Sequence, residues 1–115
     1  MSNQPDLSAD ERDMLREGLL QWGGPASLTE ALAVAMGFRG VDDFFVQSHR
    51  LRGSILNGEG LSREDWTRAL LATEIVFVSD TLGAGVEWST VTRFNDSETL
   101  RVLRGLQRKL LLYRP

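Results

Sequence analysis

The chain has 115 residues, 42% of them apolar, with no cysteine and a formal charge of −3. That length gives one domain with a single core, and the missing cysteines exclude disulfides, cysteine-based zinc sites and thiol nucleophiles. No apolar run reaches the roughly 18 to 20 residues a membrane span needs, and the polar, acidic start is unlike a secretion signal, so a cytoplasmic protein without a membrane partner is expected.

Residues 1–6 read as a disordered leader to one helical domain over 7–115. Ser8-Ala-Asp-Glu11 has the pattern of a capping box, in which hydroxyl and carboxylate take up the first free amides of a helix. It predicts a helix over 8–22, with Met14, Leu15, Gly18, Leu19 and Trp22 on the buried stripe and Gly23-Gly24-Pro25 as the stop. Ser27-Leu-Thr-Glu30 repeats the pattern and predicts a short helix through Leu28, Ala31, Leu32, Ala35 and Met36, ended by Gly37. After Phe38-Arg39-Gly40 a third helix is expected over 41–56, with Asp42 and Asp43 at the positive end of its dipole. Asn57-Gly58-Glu59-Gly60 is the clearest linker.

Ser62-Arg-Glu-Asp65 is the third capping box, ahead of a helix over 65–82 that turns apolar on most sides through Ile75, Val76, Phe77 and Val78. A helix apolar nearly all round has to be surrounded, so this one is expected at the centre of the fold. Gly83-Ala-Gly85 breaks it, and residues 86–93 read as a short helix or as an extended piece. Asn95 to Glu98 then caps a last helix reaching residue 112 on Leu100, Leu103, Leu106, Leu110 and Leu111. The expected fold is all-α, one compact domain of about six helices. Segments 7–56 and 61–112, joined by 57–60, share an order: Leu-Ser, long helix, glycine break, short helix, Phe turn (Phe38, Phe94), long helix. Phe44 and Leu100 follow those turns by the same interval. Two similar three-helix halves and a coincidence of punctuation both fit.

No catalytic, cofactor or metal signature stands out. The single histidine, His49, has no nucleophile or orienting acid in a recognisable pattern, so no catalytic residue, no metal and no cofactor is assigned. The reading placed first is a non-catalytic protein-binding regulator, adaptor or inhibitor of the immunity or antitoxin kind, with another protein or a second copy as partner. Trp88 beside its glycine break and Phe45, adjacent to Phe44 on one helix, are its interface candidates. The alternative is a DNA-binding regulator. Thr29 to Gly37 has a helix-turn-helix flavour, and the chain from Thr99 onward carries Arg101, Arg104, Arg108, Lys109 and Arg114 with no acid. Arg101, Arg104 and Arg108 share one helical face, but the acidic turns at Asp42, Asp43, Asp96 and Glu98 oppose phosphate. The third reading is a ligand or enzyme pocket at Glu74, Asp80 and Glu87, of which Glu74 lies in the most apolar segment and must be paired, hydrogen-bonded or protonated.

Overall fold

Polar caps and glycine turns cut residues 4–24 and 26–111, the part that the computed structural model describes, into six α-helices and no strand. They are α1 (Ala9–Leu20), α2 (Glu30–Ala35), α3 (Val41–Leu56), α4 (Arg63–Val78), α5 (Trp88–Val91) and α6 (Asp96–Leu111), with a 3-10 turn over Gln21–Gly23 continuing α1. The all-α fold is as expected. Within residues 86–93 there is no strand, and Trp88–Val91 make the single helical turn of α5.

The caps explain most of the starts. At α1 the box is complete: Glu11 N donates to Ser8 Oγ at 3.1 Å and Ser8 N to Glu11 Oε1 at 2.8 Å. At α6 Asn95 and Glu98 make the same reciprocal pair. The box expected at Ser27 does not form. Thr29 caps α2 by accepting from Leu32 N, and Glu30 reaches across the turn to accept from Val41 N at 3.1 Å, serving the start of α3 instead. Only half of the third box forms. Ser62 accepts from Asp65 N, while the Asp65 carboxylate turns inward to Arg50 and Arg68.

The helix expected over 65–82 stops at Val78. Residues 79–85 fold back over its last carbonyls, with Ala84 N donating to Val76 O, Gly85 N to Ser79 O and Leu82 N to Ser79 Oγ. A Cβ at Gly83 would lie 2.6 Å from Val76 O, so only glycine lets the chain pass so close to the helix end.

The core is built on a crossing of α1 and α4. Helix α1 packs along α3, α4 and α6, and α4 packs on α1, α6 and, less extensively, α3. Large side chains come from α1 and its 3-10 turn (Met14, Leu15, Leu19, Trp22) and small ones from α4 (Ala69, Ala72, Thr73). A Cβ on Gly18 would run into Thr73, so the two backbones sit as close as the residue types allow. The Trp22 indole donates to Ala72 O at 3.1 Å, and Phe44 takes the edges of Trp22 and Phe38.

With Ser8 aligned on Ser62, the buried positions Glu11, Leu15, Gly18 and Leu19 of α1 match Asp65, Ala69, Ala72 and Thr73 of α4. In α3 and α6 the buried rows are Phe44, Ser48, Leu51, Ile55 and Thr99, Leu103, Leu106, Leu110. The pairing of Phe44 with Leu100 is thus off by one residue, and Leu100 is 50% exposed while Thr99 takes the core position. Of the expected disordered leader, residues 1–3 lie outside the described residues, and Gln4 is anchored: its Oε1 accepts from Leu61 N and from the Trp66 indole, both at 2.9 Å.

Candidate functional site

The residues singled out from sequence fall in three different places. Trp88 is fully buried, its indole N–H donating to Thr99 Oγ1 at 2.7 Å and its ring edge-on to Phe77. An aromatic whose apolar body and polar tip are both satisfied inside has no surface to offer a partner, which corrects its expected exposure. Phe45 is 41% exposed, near Gly23 and with one edge against Phe44. It leaves α3 on the flank facing the end of α1, whereas α4 meets α3 on the other flank through Arg50 and Asp65.

Glu74, Asp80 and Glu87 do not form a polar pocket together. Glu74 is half-buried and accepts from Gln107 Nε2 of α6 at 2.6 Å, while Asp80 and Glu87 are exposed around the loop after α4. Among the described residues no three His, Asp or Glu side chains group as metal ligands do. His49 is an exposed position of α3.

The charged groups sort by whether they are paired. Glu11 accepts from Lys109 Nζ at 2.6 Å, tying the start of α1 to the end of α6. Burial works against its charge, but the bonds from Lys109 and Ser8 outweigh it and hold this carboxyl below its usual range. Asp65 is the counterpart on α4. Burial again opposes the charge, and Arg50 and Arg68 together hold its carboxyl low. Arg93 bridges Asp10 and Asp13 at 2.6 and 2.9 Å, fastening the turn before α6 to α1. By contrast Arg101, Arg104 and Arg108 stand exposed on the outer side of α6, and Arg63 is exposed at the start of α4. None of the four forms an ion pair among the described residues.

The start of α3, the helix that follows the Thr29 to Gly37 turn, shows the reverse. Glu30 sits against Gly40 and Val41 there, adding a carboxylate to Asp42 and Asp43 where a phosphate would have to approach.

The surface that gathers unused apolar area is the outer side of α4. Its inner side is spent on α1, yet Leu70, Leu71 and Ile75 are only half-buried and Val78 is 72% exposed. Two open grooves flank it. One, of about 490 Å³, lies toward α2 and is lined by Ala35, Met36, Gly37, Arg68 and Leu71. The other, of about 350 Å³, lies toward α6 and is lined by Arg63, Thr67, Leu70, Gln107 and Leu110. Arg63 and Thr67 line both, so the grooves share a ridge. In the sequence alone the whole of this apolar run reads as core. The signal for its outer side was Arg63, Thr67, Leu71, Glu74 and Val78 at helical spacing, a stripe mixing charge with large apolar groups.

Among the described residues no helix is long and apolar enough to cross a membrane. No family model, no curated protein and no solved structure matches this chain.

Proposed function

We propose that the protein is a non-catalytic binding domain, a regulator, adaptor or inhibitor that works by holding another protein on the outer side of α4. The observation that carries this is the outer side of α4, where Leu71 lines one groove, Leu70 the other, and these two, Ile75 and the exposed Val78 keep apolar area that the chain's own helices leave partly uncovered. Contiguous apolar surface rimmed by polar groups is what protein interfaces present, and the paired grooves give it the relief that side chains of a partner can enter. Phe45, with Val46 exposed beside it, is a smaller apolar spot on a different flank.

The test is site-specific photocrosslinking in the cells that make the protein, with a photoreactive residue at Thr67 on the ridge and a control at Asn57, an exposed position between α3 and α4. A discrete adduct from Thr67 and none from Asn57 is the expected result. Equal adducts, or none from Thr67, would remove the α4 face as the working surface.

A further inference from the structure

We infer that the groove between α4 and α6 takes an amphipathic segment of acidic character from the partner, its apolar side chains seated on Leu70 and Leu110 and its carboxylates on Arg63, Arg104 and Arg108. This rests on the reading of the α4 face as a protein-binding surface and adds the chemistry of what binds there.

The groove has a direction and two unlike rims. Leu70 and Leu110 share its lining, and Glu74 meets Gln107 further along, so α4 and α6 run antiparallel on either side. Leu70, Leu110 and the methyl-bearing Thr67 make a lining that is apolar, which favours side chains of a protein over a phosphate backbone. On the α4 rim stands Arg63. Arg104, on the outer side of α6, donates to Gln107 Oε1 at 2.9 Å, which brings its guanidinium to a lining residue, and Arg108 lies one turn further along that outer side. Among the described residues these guanidiniums have no acid partner, whereas Arg50, Arg68 and Arg93 do. The rim acid is Glu74, and it is occupied by the Gln107 amide. Residues four apart on a helix stand about 6 Å apart, so Arg104 and Arg108 match carboxylates spaced i and i+4 on a partner helix laid along them.

The same charges argue against the other occupants. A second copy of this chain docked groove to groove would set one basic rim against the same basic rim, bringing the Arg63, Arg104 and Arg108 sets together as like charges. A nucleic acid would find three or four cations on a body that is acidic elsewhere, giving a shallow, salt-sensitive attachment that leaves the apolar lining unused.

The experiment is selection of a random 16-residue peptide library displayed on phage against the full chain at about 150 mM salt. Enriched peptides are then made synthetically, and their sites mapped by amide chemical-shift changes. The inference expects peptides with large apolar residues at i, i+3 or i+4 and i+7 and an excess of Asp and Glu, shifting amides around Leu70 and Leu110. They should bind the Arg63→Ser/Arg104→Ser double variant about tenfold more weakly, as removing rim charges against a partly desolvated acidic ligand would do. Both substitutions are at exposed positions, and an unchanged thermal midpoint of the variant separates lost binding from lost fold. Peptides that map to the groove without acidic bias, or that bind the double variant equally, would overturn the inference while leaving the α4 face as a binding surface. No enrichment, or mapping elsewhere, would overturn it too, and the Thr67 crosslink then decides the broader reading independently. A labelled 20-base-pair random duplex is titrated in parallel. Binding tighter than the best peptide, abolished by the same double variant, would transfer the arginines to nucleic acid.

Discussion

The two halves of the chain repeat a sequence of helices and divide the labour between them. In the first half α1 and its 3-10 turn bring the large Met14, Leu15, Leu19 and Trp22 into the core, and α1 has α3, α4 and α6 around it. In the second half α4 meets α1 with Ala69, Ala72 and Thr73, so that α1 can come close, buries Trp66 and Val76 beside them, and leaves Leu70, Leu71 and Ile75 partly buried and Val78 exposed on its other side. The comparison teaches that position in the repeated order does not fix a helix's task. What fixes it is which residues meet which neighbour: a helix that meets its closest neighbour with small residues and keeps large ones only partly covered on its other side has surface left for something else.

The largest effects should come from two of the three buried tryptophans, Trp22 in the first half and Trp88 in the second. Trp22→Ala removes an indole bonded across the halves to Ala72 O, and Trp88→Ala one bonded within its half to Thr99. Each leaves a large cavity in a packed core and should cost about 3–5 kcal/mol in urea unfolding. Because the first indole joins the halves and the second does not, Trp22→Ala should also weaken the protection of α4 amides near Ala72 in hydrogen exchange, and Trp88→Ala those of α5 and the start of α6.

Next come the matched carboxylates. Asp65→Asn takes the counter-charge from two guanidiniums, of which that of Arg68 is largely covered, and should cost about 1–3 kcal/mol. Glu11→Gln frees a single, more exposed Lys109 and should cost less. Both carboxyls are held below their ordinary values, 3.8 for Asp65 and 4.5 for Glu11. Their contribution is therefore complete above the ordinary carboxyl range and is lost as pH falls through it and below, where the folded chain must take up protons it holds poorly. Urea midpoints measured from pH 7 down to pH 2.5 should show the wild type losing stability in that acid window, and the double variant following a flatter line.

Gly18→Ala should follow at about 1–2 kcal/mol of destabilisation, even though alanine is the better helix former, because its methyl meets Thr73 at the crossing. Thr73→Ala in the same chain should recover part of the loss and not all, since the Thr73 Cβ also lies in the way. Were Gly18→Ala stabilising, the close approach of α1 and α4 would be wrong.

Much of this architecture could be read from the sequence because it is set locally. Ser8, Ser62 and Asn95 mark starts by bonds made within four residues, and the Asn57–Gly60 linker separates α3 from α4 as expected. What could not be read depends on partners distant in the chain. Glu30 had the spacing of a capping-box acid and was drawn instead to Val41, a choice that exists only once α2 and α3 meet. Trp88 had the look of an anchor beside a glycine turn, and its burial follows from Thr99 and Phe77 arriving from two other segments. The open side of α4 was hidden for the same reason. Leu70 and Leu71 look alike in composition to Leu15 and Leu19, and the side left bare depends on where α2 and α6 end up.

The smallest expected change in stability is also the one that bears most on function. Val78 is exposed at the end of α4 and Leu71 half-buried at the edge of a groove, so Val78→Ser should leave the unfolding free energy within about 0.5 kcal/mol and Leu71→Ser should lower it by no more than about 1 kcal/mol. If their apolar surface serves a partner, the pair of substitutions should abolish the Thr67 crosslink while the thermal midpoint barely moves. Leu19→Ser, at the buried position of α1 that matches Thr73 of α4, should instead unfold much of the protein, since it puts a hydroxyl and a cavity into the core. A loss of stability on α4 as large as that on α1 would mean the outer leucines hold the fold together. The division between the two halves would then be one of degree, and the binding surface would have to be sought at Phe45.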